Sequence, residues 1–308
     1  FLADNGLEYK PSQIIVSNGA KQSCFNAIAA VCNPGDEVII PAPFWLSYPE
    51  MVRLAGAEPV IVQTTEENAW KITAEQFEDA MTPRTKMIII NSPGNPTGSI
   101  YSREELRAIA EVAAEEDIYI LSDEIYEKLT YEGAEHVSIA SLTPEAYDLT
   151  ITVNGFSKAY AMTGWRLGYL GAPEAIARAI DSMQSHSTSN PCSFAQKGAL
   201  AALKGDQQCV ADMREEFDIR RQYMFDRLSS IPGVTAVKPL GAFYVLANIS
   251  GLGLKSQNFA DRLLSKANVA VVPGIAFGDD RTVRLSYATS LDVIKTGLDR
   301  IEEFCKTL

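Results

Sequence analysis

Directly after the apolar run Leu149–Val153, the sequence reads Asn154-Gly155-Phe156-Ser157-Lys158-Ala159-Tyr160-Ala161-Met162-Thr163-Gly164-Trp165-Arg166. The apolar run predicts a buried strand, which puts Lys158 just beyond a strand end, among aromatic and small residues. A lysine held in such a pocket has a lowered pKa and becomes a nucleophile that can form a Schiff base. Arg166 has the fork geometry that suits a phosphate group. The alternative interpretation is a surface lysine and a surface arginine that forms an ion pair.

Short apolar runs alternate with longer amphipathic segments before this stretch. The segments Lys21–Cys32 and Arg103–Glu116 predict two helices, and Ser102 with Glu105 forms a capping box that starts the second one. Strands that alternate with helices indicate an α/β fold with a mostly parallel sheet covered on both faces. Such sheets bind ligands at the carboxyl ends of their strands. The other predicted strands are Ile14–Val16, Val38–Ile40, Pro59–Val62, Met87–Asn91 and Ile118–Ser122.

A long polar helical segment, about Asp206–Ser230, changes this rhythm. The segments beyond it predict a second, smaller α+β domain. Its strands are Gly241–Ile249, Val269–Val272 and Val283–Tyr287, and its helices are Asn258–Ala267 and Leu291–Leu308. We therefore predict a large domain over residues 1–215 and a small C-terminal domain over residues 216–308, with the boundary inside the long helix.

Composition excludes several classes of protein. The chain has 308 residues, of which 46% are hydrophobic and 21% charged, so it is neither disordered nor too small for a sizeable core. The net charge of −12 argues against a nucleic-acid binder, which needs a basic surface. No apolar run approaches the roughly 20 residues of a membrane-spanning helix.

Cysteine and histidine usage predicts neither disulfides nor a metal site. The two histidines, His136 and His186, are isolated, and the five cysteines are scattered without a CxxC motif. We therefore expect reduced, mostly buried thiols, no metal, and a reducing compartment such as the cytoplasm. The cysteines are Cys24, Cys32, Cys192, Cys209 and Cys305.

Three further segments at predicted strand ends carry groups that suit a ligand. The segment Ser17–Lys21 leads into a helix, and its backbone amides can hold a phosphate or form a plain tight turn. Asn95 lies in the rigid loop Asn91–Gly98, where its amide donates to a ligand oxygen or bonds its own backbone. Asp123 ends a very apolar strand, so it either meets a cation or caps a helix.

In this order, the segments resemble pyridoxal-phosphate enzymes of fold type I, in aminotransferase class I. The run Ser157–Arg166 is specific to that family, and the segments Asn95–Gly98 and Ser122–Tyr126 match it at this spacing. The resemblance covers essentially the whole chain. It is closest to the bacterial-type (Ib) aspartate aminotransferases and to their relatives that transaminate prephenate.

The resemblance implies that pyridoxal 5′-phosphate is the cofactor. Lys158 matches the lysine that carries it as an internal aldimine and then moves a proton between substrate and cofactor. Asp123 matches the partner of the pyridinium nitrogen, and Tyr126 and Asn95 match the residues that bond the cofactor's phenolic oxygen. Trp45 matches the aromatic residue stacked on the ring. The residues that match the phosphate site are Arg166, Gly19, Ala20 and Lys21.

The resemblance also implies a substrate class. Arg284 matches the arginine that binds the substrate α-carboxylate, near Trp45 and Asn95, and Lys21 stands where a lysine is credited with binding a second carboxylate. The implied activity is ping-pong transfer of an amino group between L-aspartate and 2-oxoglutarate, in a homodimer with sites at the interface. The alternatives are a prephenate aminotransferase that forms arogenate, or a class I enzyme with another amino donor. An inactive regulatory relative is disfavoured because Lys158 and Asp123 are intact.

Two features depart from the family pattern. Gly155 stands where many relatives have a phosphate-binding serine, although Ser157 is nearby. The chain starts at Phe1 without the family's N-terminal segment, which carries an arm, a substrate-contacting glycine and a tyrosine that reaches the partner subunit. We therefore expect a fragment or a processed chain, and a plastid location would fit the resemblance to plant relatives.

Overall fold

The computed structural model describes residues 1–308 and contains two β-sheets. The strands are β1 Ile14–Ser17, β2 Glu37–Ala42, β3 Glu58–Gln63, β4 Thr85–Asn91, β5 Tyr119–Asp123, β6 Thr150–Gly155, β7 Gly168–Gly171, β8 Thr235–Ala236, β9 Tyr244–Asn248, β10 Val272–Pro273 and β11 Thr282–Ser286. The helices are α1 Leu2–Asn5, α2 Ala20–Val31, α3 Ser47–Leu54, α4 Ala74–Ala80, α5 Arg103–Glu115, α6 Pro144–Leu149, α7 Glu174–Ser185, α8 Ser193–Lys204, α9 Gln208–Ser229, α10 Ser256–Ala267 and α11 Leu291–Cys305.

The larger sheet has seven strands in the order β1-β7-β6-β5-β4-β2-β3. Its strands are parallel except for β7, which is antiparallel to both of its neighbours. The predicted α/β fold with a mostly parallel sheet is therefore confirmed. All six predicted strands before residue 154 are present, each with bounds that differ by at most a few residues.

Side-chain alternation along the central strands builds a core on each face of this sheet. On β4, Met87 and Ile89 pack with α2, α3 and α7, whereas Ile88 and Ile90 pack with α4 and α5 on the opposite face. The helices are held in place by local signals in the sequence. At the start of α5, for example, Ser102 Oγ accepts from the Glu105 N–H and the Glu105 carboxylate accepts from the Ser102 N–H, as the capping box predicts.

The smaller sheet is antiparallel, with the order β10-β11-β9-β8. Its core contains residues of α9, α10 and α11 and also receives Tyr126 and Leu129 from the segment that follows β5. This shared core places β9 and β11 against the carboxyl end of the larger sheet. The domain boundary at residues 215 and 216 stays a prediction, since α9 runs through it without a break.

Three details of the sequence prediction were wrong. Strand β7 was missed because it contains Gly168 and Gly171, which have low strand propensity. The predicted strand Val269–Val272 pairs only from Val272, at the edge of the smaller sheet. The thiols are free but not mostly buried, because Cys192 and Cys209 are exposed. No helix combines the length and the apolar character needed to cross a membrane.

Candidate active site

A cavity of about 380 Å³ lies where the carboxyl ends of β4, β5 and β6 face the smaller sheet. Every site residue predicted from the sequence lines it except Gly19, which lies against the Arg166 guanidinium. A larger groove of about 630 Å³, of whose 18 lining residues 10 are hydrophobic, shares only Arg284 with this cavity. The lining residues of the smaller cavity are Ala20, Lys21, Trp45, Leu46, Tyr48, Asn91, Asn95, Asp123, Ile125, Tyr126, Ser157, Lys158, Thr163, Arg166, Tyr244 and Arg284.

Lys158 lies in an apolar part of this cavity, shortly after β6. Its Nζ atom is 5.8 Å from the centre of the Tyr126 ring and 5.4 Å from that of Phe243. Burial lowers the pKa of Lys158; the charge of Asp123 opposes this effect, and that of Arg284 adds to it. The amine is therefore more easily deprotonated than a surface lysine, as a nucleophile or a base requires.

Asp123, at the end of β5, is a buried carboxyl group without a cationic partner in the chain. Its Oδ2 atom accepts a hydrogen bond of 2.7 Å from the Tyr48 hydroxyl and lies 3.8 Å from Cys24 Sγ, while Oδ1 accepts from the Ile125 N–H. Burial raises the pKa of Asp123, and these hydrogen bonds counteract it. A cationic ligand nitrogen in the cavity would compensate the cost of burying this charge.

An anion-binding cradle lies at the N-terminus of α2. The backbone N–H groups of Ala20 and Lys21 have no acceptor in the chain, because they belong to the first turn of the helix. Arg166 is held beside them by the carbonyl groups of Thr163 and Asn18, at 2.9 and 3.4 Å. A helix N-terminus with unpaired N–H groups and an adjacent arginine suits a phosphate group.

Two glycines keep this cradle open. A Cβ atom at Gly19, whose φ is +87°, would lie 2.4 Å from the Arg166 guanidinium. A Cβ atom at Gly168 would lie 2.2 Å from the Ala20 nitrogen. By contrast, Gly155, the residue that departs from the family pattern, has little space for a side chain, because a Cβ atom would lie 3.0 Å from Ile125. Ser157 lines the cavity instead.

Arg284 enters the cavity from β11. Its Nη1 atom donates to Asn95 Oδ1 at 2.8 Å, whereas its buried Nε atom has no acceptor. The guanidinium stacks over the Tyr244 ring at 4.4 Å, and burial lowers its pKa. A partly buried guanidinium with an unused donor suits a carboxylate, which accepts two parallel hydrogen bonds.

Lys21 supplies another cation at the mouth of the cavity. Its side chain is exposed, and Nζ lies 4.9 Å from the centre of the Trp45 ring. The cavity thus has a cationic side chain from α2, Lys21, and one from the smaller sheet, Arg284. A ligand with two carboxylate groups would satisfy both of them.

The sequence did not indicate three residues that contact the predicted site. Tyr48 and Cys24 contact Asp123, and Tyr244 contacts both Tyr126 and Arg284. Tyr48 follows Trp45 by three residues, a spacing that could have suggested it. Cys24 and Tyr244 give no such signal, since only the packing of α2 and β9 brings Cys24 to Asp123 and Tyr244 to the cavity.

A second cluster of titratable groups lies outside the cavity. The carboxylate of Glu124 bonds His136 Nε2 at 3.0 Å, and Glu127 contributes a carboxyl oxygen within 4.8 Å of these ligand atoms. Burial alone would lower the pKa of His136, but the charge and hydrogen bond of Glu124 raise it above its usual value. The Glu124 carboxylate therefore favours the protonated form of His136.

We expect the variant His136→Asn to lose more stability at acidic pH than at alkaline pH. Because the pKa of His136 is raised in the folded state, its contribution is complete below the unfolded value of about 6.5 and is lost as the pH rises through the folded value. The loss of unfolding free energy caused by the variant, measured by denaturant unfolding, should be about 1 kcal/mol larger near pH 5.5 than near pH 9. The exposed His186→Asn is the control, with a small effect at both pH values. An equal loss at both pH values for His136→Asn would contradict this interpretation.

Comparison with known proteins identifies the family. The family model described as aminotransferase class I and II matches residues 1–301. The chain belongs to this family. The aspartate aminotransferase of Bacillus sp. (strain YM-2) is 50% identical over 99% of this chain and 79% of that enzyme. The aspartate/prephenate aminotransferase of Cereibacter sphaeroides is 48% identical over all of this chain and 80% of that enzyme.

Solved structures of aminotransferases have the same fold. The crystal structure of the aspartate aminotransferase from Rhizobium meliloti matches with a TM-score of 0.96 at 41% identity, over 99% of this chain and 79% of that chain. The predicted family and fold type I are thus confirmed, and the protein is a pyridoxal-phosphate-dependent transaminase. The roles of individual site residues stay predictions.

Proposed function

We propose that this aminotransferase transfers an amino group between L-aspartate and 2-oxoglutarate in a ping-pong reaction, with pyridoxal 5′-phosphate bound at Lys158. One observation carries the proposal. A single cavity joins a partly buried lysine with a lowered pKa, a buried carboxyl group without a cation, and a partly buried arginine with an unused donor. The lysine can bind the cofactor covalently, the carboxyl group can pair with the ring nitrogen of the cofactor, and the arginine can bind a substrate carboxylate.

The residues present fit the cofactor. The unpaired N–H groups of Ala20 and Lys21, with Arg166, would hold its phosphate, and Asp123 would pair with its ring nitrogen. When bound, the cofactor supplies an electron sink for the negative charge that develops at the substrate α-carbon. Trp45 lines the same cavity and would cover one face of the ring.

The chain's own groups would manage the proton and the geometry. The Lys158 amine would take the proton from the substrate α-carbon, a step helped by its lowered pKa. Tyr126 and Asn95, which line the cavity, would donate to the phenolic oxygen of the cofactor and stabilise its negative charge. Arg284 binds the α-carboxylate in a bidentate manner and so fixes the orientation of the α-carbon.

The preference for a dicarboxylic substrate rests on Lys21. Its exposed ammonium group at the mouth of the cavity would bind the second carboxylate of aspartate or 2-oxoglutarate. The names of the relatives support this choice, since the enzyme of Bacillus sp. (strain YM-2) is an aspartate aminotransferase. Prephenate, which has two carboxylates, is the second candidate because the Cereibacter sphaeroides relative is an aspartate/prephenate aminotransferase. A panel with aspartate, glutamate and prephenate distinguishes the two activities.

We further propose a homodimer in the cytoplasm. The surface beside Arg166 exposes two large apolar side chains, Trp165 at 47% and Phe194 at 76%. This surface continues into the phosphate end of the cavity through Arg166. A second copy that covers it would exclude water from the phosphate site. Sedimentation should give about twice the monomer mass of 33.6 kDa, and a monomer under assay conditions would contradict the proposal.

Absorbance titration with L-aspartate tests the proposed function directly. The protein is loaded with pyridoxal 5′-phosphate, and its visible band is followed as L-aspartate is added without an acceptor. We expect full conversion to the spectrum of the aminated cofactor and recovery of the first spectrum with 2-oxoglutarate. A visible band that does not change when aspartate is added but changes with another amino acid would contradict the proposed preference for aspartate. Failure to form the band at all would contradict the cofactor site.

We expect Gly168→Ala to weaken binding of the cofactor by at least about 10-fold, because the methyl group displaces the Ala20 N–H from the phosphate. Equilibrium dialysis with pyridoxal 5′-phosphate measures the dissociation constant. Gly164→Ala is the matched control, since nothing lies within 4 Å of a Cβ atom there. Equal affinities of the two variants for the cofactor would show that the Ala20 N–H does not bind the phosphate.

A further inference from the structure

Tyr244 links two residues of the proposed site that do not bond each other. Its hydroxyl oxygen is 2.9 Å from that of Tyr126, and its ring lies under the Arg284 guanidinium at 4.4 Å. Tyr244 is 6% exposed, and its side chain lines the cavity. It therefore touches both the tyrosine assigned to the cofactor's phenolic oxygen and the arginine assigned to the substrate α-carboxylate.

The smaller sheet fixes this position. Tyr244 begins β9 and pairs with Ser286 on β11, while Arg284 pairs with Leu246. Tyr244 and Arg284 are thus diagonal neighbours on one face of an antiparallel pair, close enough for an aromatic ring and a long side chain to stack. The stack is desolvated, which strengthens the attraction between the cation and the ring.

Only one of the two hydroxyls, that of Tyr126 or that of Tyr244, can donate the hydrogen bond between them. A tyrosine hydroxyl has one proton to donate and lone pairs that accept. If Tyr126 gave its proton to Tyr244, it could only accept, and it would repel an anionic oxygen of the ligand. Tyr244 has no other hydrogen-bond acceptor in the chain, so it can donate to Tyr126 and leave the Tyr126 proton free for the ligand.

We propose that Tyr244 is a positioning residue: its hydroxyl directs the Tyr126 proton to the cofactor's phenolic oxygen, and its ring supports Arg284 for the substrate carboxylate. The proposal rests on the proposed function, because it needs the cofactor at Lys158. The two parts of the Tyr244 side chain thus have different roles. The hydroxyl affects the ionisation of the cofactor's phenolic oxygen, and the ring supports the arginine that binds the substrate.

The pH dependence of the visible absorbance of the loaded protein tests the role of the hydroxyl. Tyr126 stabilises the ionised phenolic oxygen, and the hydrogen bond that its oxygen accepts from Tyr244 makes it a stronger donor, so loss of the Tyr244 hydroxyl should weaken this stabilisation. We expect Tyr244→Phe to raise the midpoint of the spectral transition by about 0.5–1 pH unit, with a KM for aspartate close to that of the unaltered protein. We expect Tyr244→Leu, which also lacks the ring, to raise that KM by about 10-fold or more.

A double variant keeps the test decisive. If Tyr244 acts through Tyr126, then Tyr126→Phe and Tyr126→Phe/Tyr244→Phe have the same spectral midpoint, whereas independent effects would add. Tyr287→Phe is the matched control, since it removes another hydroxyl of the same core, which donates to the Ala242 carbonyl and does not contact the cavity. We expect this control to lower the melting temperature without moving the midpoint.

The outcomes separate this proposal from the proposed function. A visible band whose midpoint is unchanged in Tyr244→Phe would overturn the positioning role and leave the function intact. Additive shifts in the double variant would overturn it as well. Absence of any visible band in the unaltered protein would instead contradict the cofactor site, and the proposal with it.

Discussion

Lys158→Ala is expected to lose the covalently bound cofactor and to lower the turnover of aspartate by about 10⁴-fold or more. The loss is large because one amine has two tasks. It attaches the cofactor, and it moves the proton of the substrate α-carbon. No other lysine can replace it, since Lys21, the other lysine of the cavity, lies at its exposed mouth. Absorbance and steady-state turnover of the variant, assayed with added cofactor, measure the two tasks separately.

Two further variants distinguish a missing amine from a damaged fold. Lys158→Arg keeps a positive charge but has no nucleophilic amine, so it should be as inactive as Lys158→Ala. Small primary amines added to the assay should restore part of the turnover of Lys158→Ala, which has a vacant space beside Phe243, but not that of Lys158→Arg. Lys204→Ala, at the exposed end of α8, should remain fully active. Substantial turnover in Lys158→Ala without added amine would refute the assignment.

The sequence predicted the site well where the chemistry lies in short segments at strand ends. Lys158 and Asn95 follow strands of the parallel sheet and Asp123 ends one, and the geometry of such sheets brings these strand ends together. The apolar strands are buried on both faces of the sheet, and the hydrophobic pattern of the sequence therefore indicates where they lie. Local pattern and global fold agree at these positions, so prediction from the sequence is possible there.

The sequence did not predict the contacts that depend on packing between elements distant in the chain. Cys24 reaches Asp123 only because α2 packs across the sheet, and Tyr244 reaches Tyr126 only because β9 packs against the segment after β5. Strand β7 was missed for a related reason. Its Gly168 is required by the close approach of the Gly19–Ala20 backbone, a contact that strand propensity does not describe.

Arg284→Gln is expected to lower kcat/KM for aspartate by about 10³-fold, since it removes two charge-assisted hydrogen bonds worth about 1.5–3 kcal/mol each. The loss should appear in both KM and kcat, because the arginine binds the substrate and also orients its α-carbon. Arg281→Gln is the matched control, three residues earlier in the chain, where the guanidinium pairs with Asp279 outside the cavity. We expect this control to change kcat/KM by no more than about 3-fold.

Truncated substrates make the assignment of Arg284 specific. If Arg284 binds the α-carboxylate, then β-alanine, which is aspartate without that group, should react equally slowly with the unaltered protein and with Arg284→Gln. If Lys21 binds the second carboxylate, Lys21→Met should impair the reaction of aspartate but not that of L-alanine, which lacks that group. The two penalties would then follow the two carboxylates independently. A penalty for Arg284→Gln that persists with β-alanine would show that this arginine supports the fold of the cavity, through Tyr244 and Asn95, and does not bind the substrate.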